Sequence, residues 1–511
     1  MNIIYQKFQE AAEKYSNKKA IVELDRDITY GELTNSINEV MEFFSDNSII
    51  KGDVVVFICD NSIEYLIFYL AACKKEICFV PVDTRLTDEE LLRITNIVKP
   101  NFIICKNKYK KTGEEIMKNT SDKSFSCLEY TFYGNLIYLF LYNTKIDKNP
   151  EFKDSDFTVL FSSGTTGGAK GVVFSQDVIV NQISIYSRYF KMTPDDRVLC
   201  PVTLIHSYGI FDHALSTLMI GATLYLPDIS LMNPKMLLEL VHKNQITFFG
   251  TLPYMYELMA QMKTNSQYDF SSIRYMICGG APLNKETIEK FFSKFKKNIN
   301  QVYGLTEVGY ICFNNNADKR DSIGKSFSEL ILKVVDQNDN ECKFNEEGEL
   351  KVKIDKMIAR GYLSNEFEQN AMYKNGWFYT KDIVSIDQDG YLYYKGRISD
   401  FINIGGNKVH PSDIESVINM VPGVKENVVL GLNTNFGDQE ICSVIVPTSF
   451  ENLKEIQIMV QDQCMKKLVA FKRPKKIYFI KAFQTTNLGK ISKGRIKELL
   501  SKDSPTIIKD V

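Results

Sequence analysis

One tryptophan and four histidines in 511 residues, with no Cys-x-x-Cys pair, leave little material for a metal centre. His206, His213, His242 and His410 lack the spacing of a ligand set, so no zinc site is expected. The eleven cysteines are an odd number, scattered from Cys59 to Cys464 and set in apolar segments such as MICGG and EICSVIV. They read as reduced core thiols of a cytoplasmic protein, not as a disulfide framework. Long hydrophobic runs are missing too. The longest, at Tyr65–Cys73 and Leu136–Tyr142, fall far short of the roughly 20 residues that span a bilayer, so membrane insertion is not expected. The opening MNIIYQKFQEAAEKY mixes charge into its apolar positions and reads as an amphipathic helix rather than an export signal. Nor is there an excess of charge of one sign: 62 Lys and Arg face 63 Asp and Glu, a formal net charge of -1. No overall field draws such a chain onto a polyanion, which argues against nucleic acid as its main partner.

What the chain does have is 44 % hydrophobic residues and more length than one ordinary domain uses. Short β-rich runs alternate with helical patterns: VVVFICD then SIEYLIFYLAACKK, CFVPVD then DEELLRITNIV, ATLYLP then PKMLLELVHKN, ITFFGTLP then YMYELMAQM. Strands punctuated by such helices make βαβ units, so an α/β fold is expected, with a large N-terminal domain of parallel-rich sheets flanked by helices. From Gly348 the pattern turns to short strands, GELKVKI and GWFYTKDIVSIDQDGYLYYKG, where DQDG marks a hairpin and a small β-rich subdomain is expected. Beyond Arg397 the segments HPSDIESVINMV, VKENVVLGL, EICSVIVP, a helix through Met465 and Lys467, and PKKIYFIK read as a smaller α+β domain. The division is placed near Ser399–Asp400, giving an N-terminal domain 1–398 and a C-terminal domain 399–511.

The stretch LFSSGTTGGAKGV, Leu160 to Val172, carries the strongest chemical signal. Glycines at 164, 167, 168 and 171 let the backbone turn its N–H groups toward an oxyanion. Ser162, Ser163, Thr165 and Thr166 add neutral donors and Lys170 adds charge, a composition suited to a polyphosphate. It is not a Walker A loop. Ala169 stands where the glycine before the lysine belongs, and Gly171 replaces the magnesium-binding Ser/Thr.

Further pieces follow in order: PVTLIHSYG at 201–209, CGGAPL at 278–283, QVYGLTEVG at 301–309, GWFYTKD at 376–382, GRISDFINIGG at 396–406 and NLGKIS at 487–492. With SSGTTGGAKG and the early ITYGEL and FVPVD segments, the chain over nearly its whole length resembles the adenylate-forming superfamily. That group holds acyl- and aryl-CoA synthetases, adenylation domains of peptide synthetases and firefly luciferase. The resemblance implies an enzyme that joins a carboxylate to the α-phosphate of ATP with Mg2+, expelling pyrophosphate, and then transfers the acyl group to a pantetheine thiol. It implies that Ser162 to Lys170 clasps the β- and γ-phosphates, that Glu307 binds magnesium and that Thr306 donates to the α-phosphate. Adenine is implied to lie between the Gly280-Ala281-Pro282 turn and Tyr303, with Asp382 and Arg397 on the ribose. Lys490 matches the lysine that bridges carboxylate and α-phosphate. The C-terminal domain is implied to be mobile about a hinge at Ser399, with Gly405 and Gly406 lining the thiol tunnel. Three departures stand out: Lys381 where glycine is usual, Ala169 where proline is common, and Phe483-Gln484 where Leu-Pro is usual.

His206 resembles the residue that closes the acyl pocket beside the carboxylate. Relatives that take α-amino acids carry an aspartate just after it. Here Ser207 and Tyr208 follow, which disfavours an ordinary α-amino acid. If GIFDHALSTLM is a helix, Asp212 lies one turn beyond Tyr208 on the same face. There it either receives a phenolic hydroxyl or an amine remote from the carboxylate, or points to solvent or to a neighbouring base. Gly250, Gly280, Ala281 and Gly309 leave room for a ring or a short chain. The acceptor is expected in trans, either CoA or the phosphopantetheine of a carrier protein. Loss of the lysine, glutamate or ribose aspartate would instead indicate a non-catalytic nucleotide-binding protein, and all three are present.

Overall fold

A computed structural model describes residues 2–120, 124–143, 149, 151–163, 169–263, 268–353, 356–404, 407–433, 439–483, 491, 493–501 and 507–509. Local sequence signals set many helix starts. Thr29 and Thr87 each open a helix, Tyr30–Asp46 and Asp88–Val98, with a reciprocal box to Glu32 and Glu90 that satisfies two of the free N–H groups. The N-terminal segment is the expected amphipathic helix, Ile3–Lys14, with Ile4, Tyr5, Phe8, Ala11 and Ala12 buried. The apolar run at Tyr65–Cys73 lies in a helix, Ile63–Lys75, that is buried all round from Ile63 to Cys73. Among the described residues no helix is long and apolar enough to cross a membrane.

The chain divides into two compact units, Met1–Ile331 with Val352–Phe378, and Leu332–Lys351 with Tyr379–Val511. In the first, one sheet runs in the order Gly361–Tyr362, Ala169–Ser175, Asp156–Ser163, Cys78–Val82, Val54–Ile58, Phe102–Lys106, Asn135–Tyr142, Phe125–Phe132. Its centre is parallel and its flanks are antiparallel hairpins. The central strands Val54–Ile58 and Cys78–Val82 are buried on both faces, which explains their unbroken apolar sequence. A second sheet contains Arg197–Leu199, Phe248–Thr251, Tyr275–Cys278 and Asn300–Leu305 as parallel neighbours in that order.

In the second unit DQDG closes the expected hairpin between Trp377–Ile386 and Tyr391–Arg397. A separate sheet joins Val424–Asn433, Gln439–Pro447, Lys476–Ile480 and Ile507–Lys509. The helices Pro411–Ile418 and Leu453–Lys467 contribute Ile414, Ile418, Ile456 and Val460 to a core shared with Val429, Ile441, Ile445 and Phe479 of these strands. All eleven cysteines are free thiols, and all but Cys127 and Cys342 are buried.

Candidate active site

Motifs far apart in sequence meet because they follow neighbouring strands. The HSYG segment follows Arg197–Leu199, Gly250 lies in Phe248–Thr251, the Gly280-Ala281-Pro282 turn follows Tyr275–Cys278, and Tyr303 lies in Asn300–Leu305. These strands are parallel, so their carboxyl ends face one way, where open α/β sheets gather ligands. Gly280 bends the chain with φ +82°. Tyr303 is half-buried, and Thr306, Glu307 and Val308 form the turn to the antiparallel strand Gly309–Asn314.

Tyr208 opens a wide helical turn, Tyr208–Leu215, with an i→i+5 hydrogen bond at its end, a geometry frequent at functional sites. His213 on that turn lies 2.7 Å through Nδ1 from the Tyr208 carbonyl, and its Nε2 accepts from the Gly250 N–H at 3.1 Å. An acceptor at Nε2 leaves the proton on Nδ1, so the ring is neutral, and burial lowers its pKa to about 4. A Cβ at Gly250 would stand 2.2 Å from the Tyr208 hydroxyl, so only glycine admits the tyrosine here. His213 carries no motif signal; its alternation with buried apolar residues concealed a brace between two strand ends.

Asp212 is 7 % exposed and lines a cavity with Gln182, Ile185, Tyr186, Tyr310, Phe327 and Met357. Burial pushes its carboxyl well above the usual range, and the Tyr310 hydroxyl beside it offsets only part of this. No basic side chain pairs with it among the described residues. Gly309 abuts Gln182, and Tyr208 packs its ring 6.1 Å from that of Tyr310, so the cavity adjoins the HSYG and TEVG segments.

Glu307 is 8 % exposed, and its Oε1 accepts from the Tyr362 hydroxyl at 2.6 Å. Its carbonyl accepts from Ala359 N–H at 2.7 Å. Lys170, half-buried, pairs with Glu368 at 2.8 Å and lies 6.0 Å from the Tyr362 ring centre. Tyr362 and Glu368 are site neighbours the motif reading passed over; only their place in the GYLSNEFE run after the GELKVKI strand hints at them. No group of three or more His, Cys, Asp or Glu that could hold a metal occurs among the described residues. A single buried carboxylate such as Glu307 is compatible with magnesium, which keeps waters and takes few protein ligands.

In the second unit Asp382, 1 % exposed, accepts from Arg397 Nε at 2.8 Å, the two facing each other across the hairpin. Lys381, the departure from glycine, sits at φ +60°, the conformation that makes glycine the usual choice. Ser399 is exposed in a single turn, Ile398–Asp400, with its hydroxyl 3.3 Å from Asp400. His206 is half-buried. At the end of the strand Asp156–Ser163, Ser162 pairs in register with Lys170 and Ser163 with Ala169. Thr165, Thr166, Gly405, Gly406 and Lys490 lie outside the described residues, as does Gln484.

A family model for "AMP-binding enzyme" matches residues 8–363, and one for "AMP-binding enzyme C-terminal domain" matches 413–490. A long-chain-fatty-acid–CoA ligase of Mycobacterium tuberculosis is 29 % identical over 95 % of this chain and 96 % of its own. A 3-hydroxybenzoate–CoA ligase of Aromatoleum sp. is 25 % identical over 96 % of this chain and 95 % of its own. Among solved structures, ATP-bound MatB from Rhodopseudomonas palustris superposes with TM-score 0.84 at 23 % identity, covering 98 % of this chain and 99 % of that one.

Proposed function

Because the chain belongs to the family of AMP-binding enzymes, we propose that it activates a carboxylic acid with ATP, releases pyrophosphate and passes the acyl group from AMP to the thiol of CoA. The observation that supports this reading is the cluster of Lys170, Tyr362 and Glu307, a cation and a buried carboxylate of the kinds that a polyphosphate chain and its metal ion would use.

Carboxylate and triphosphate are both anions, so the enzyme must concentrate positive charge and donors between them. Lys170 with the hydroxyls of Ser162, Ser163, Thr165 and Thr166 is assigned to the leaving pyrophosphate, Thr306 to the α-phosphate, and Lys490 to the charge that builds between the two reactants. Magnesium, when bound, neutralises phosphate charge, and Glu307 is the residue that would hold it. Asp382, oriented by Arg397, is assigned to the ribose hydroxyls, and Tyr303 with Gly280, Ala281 and Pro282 to adenine. For the second half-reaction Ser399 is assigned as hinge between functional domains 1–398 and 399–511, with Gly405 and Gly406 beside the incoming thiol. The reduced, mostly buried thiols agree with work in the cytoplasm.

The acid is read as an aryl or a short- to medium-chain acyl acid, not an ordinary α-amino acid. His206 and Tyr208 are assigned to its carboxylate end, with Gly280 and Gly309 beside it, and Asp212 to a polar group at the far end. Asp212 is buried without a base among the described residues, and its carboxyl is pushed well above the usual range by desolvation; a carboxyl facing the acid's far end suits a hydroxyl there. Pyrophosphate release should be measured with Mg-ATP and a panel of hydroxyaryl, fatty and α-amino acids, followed by CoA consumption. Release is expected with a hydroxyaryl acid and not with α-amino acids, with CoA consumed in step. Release with no class of acid would overturn the activity. Release with fatty acids alone would overturn the reading of Asp212.

A further inference from the structure

Tyr362 holds a position that the assigned roles leave unexplained. Its hydroxyl lies between Glu307 Oε1 at 2.6 Å and Met372 Sδ at 2.9 Å. Thioether sulfur is a weak acceptor and carboxylate a strong one, so the proton goes to Glu307. The tyrosine is itself held on several sides. Its N–H donates to Gln369 Oε1 at 3.0 Å, and its backbone pairs with Val172, two residues along the strand from Lys170. Its ring meets Tyr373 edge-on at 6.2 Å, and the Tyr373 hydroxyl donates to the Ala359 carbonyl at 3.1 Å. Ala359 in turn donates its N–H to the Glu307 carbonyl at 2.7 Å. Glu307 is thereby fixed through both its side chain and its main chain by one segment, Ala359 to Tyr373.

We propose that Tyr362 is a positioning residue for the magnesium site: its hydroxyl engages Oε1 of Glu307 and so fixes the orientation of the carboxylate that would hold the cation accompanying the nucleotide phosphates. The proposal rests on the assignment of Glu307 as the metal-holding carboxylate. Outer partners of this kind orient a ligand, and losing one lowers metal affinity about 10- to 100-fold. The same tyrosine backbone pairs with the strand that carries Lys170, so the metal carboxylate and the phosphate-loop lysine share one scaffold.

The test is the affinity of the full-length protein for Mn2+, read by electron paramagnetic resonance in the presence of ATP without acid substrate. Tyr362→Phe, which removes only the hydroxyl, should weaken Mn2+ binding about 10- to 100-fold. Its thermal midpoint and its affinity for ATP without metal should stay at the unmodified level, which a merely structural role would not leave in place. Tyr362→His, which keeps a ring donor, should recover part of the Mn2+ affinity and serves as the working variant if the phenylalanine form does not fold. Glu307→Gln separates the two claims. If it weakens Mn2+ binding and Tyr362→Phe does not, the positioning role falls and the ligand assignment stands. If neither variant changes Mn2+ affinity, both fall.

Discussion

Two adjacent side chains on the Tyr208–Leu215 turn respond to pH in opposite directions. His213 is buried and neutral with its pKa lowered to about 4, whereas in the unfolded chain it titrates near 6.5. As pH falls through that window the unfolded state gains a proton that the folded state refuses, so stability is lost between about 6.5 and 4 and changes no further below. A gap of this size corresponds to roughly 3 kcal/mol at roughly 1.4 kcal/mol per pH unit. Asp212 runs the other way: its raised pKa means that the folded protein holds a proton the unfolded chain has given up, and stability falls as pH rises above the ordinary aspartate value of 3.8. Denaturant unfolding of His213→Gln, compared with the unmodified protein at pH 7 and pH 4, isolates the histidine. The variant should lose less stability than the unmodified protein over that interval; equal losses would mean the ring is protonated in the fold. Lys381 shows that a residue type alone does not set a local backbone conformation. A lysine where glycine is usual marked the loop as unusual, and the backbone there is left-handed all the same, with the Lys381 N–H donating to Glu349 at 3.1 Å.

Elements that obey short-range rules were legible, and those built by tertiary contact were not. The Thr29 and Thr87 caps, the DQDG hairpin and the strand-helix alternation follow from residues within a few positions of one another. The widened turn at Tyr208–Leu215 is tied through its own His213 to Gly250 of a separate segment, and a helical reading of GIFDHALSTLM placed Asp212 one ordinary turn from Tyr208 and missed the i→i+5 bond. The helix Glu366–Met372 was likewise invisible as a neighbour of the glycine-rich hairpin, although its Glu368 pairs with Lys170. If Lys170 binds the β- and γ-phosphates, ATP must draw it away from Glu368. Glu368→Gln should therefore tighten ATP binding about fivefold, equivalent to ~1 kcal/mol, and leave AMP binding unchanged because AMP lacks those phosphates. Calorimetry with both nucleotides checks this, and equal effects on ATP and AMP would place Lys170 elsewhere.

At the scale of the molecule, the ordered motifs told more than composition did. Composition set aside a net-charge attraction to polyanions and a long apolar span, whereas the succession from SSGTTGGAKG to NLGKIS pointed to the AMP-binding family that the whole-chain comparison shows. The cavity beside Asp212 was less legible because it is assembled from Gln182, Tyr186, Tyr310, Phe327 and Met357, residues that no single motif contains. The two half-reactions make different demands on these motifs. Adenylate formation brings two anions together, and the proposed role of Lys490 belongs to that step. Thiol attack on an adenylate already made separates the acyl group from AMP and does not use that charge. Lys490→Ala should therefore lower acid-dependent pyrophosphate release about 100- to 1000-fold, the scale of losing one transition-state donor. The same variant, supplied with a chemically prepared acyl-adenylate and CoA, should form thioester at the rate of the unmodified protein. If both half-reactions fell together, one arrangement of the lysine would serve the whole cycle, and the assignment of Ser399 as a hinge between two working states would lose its reason.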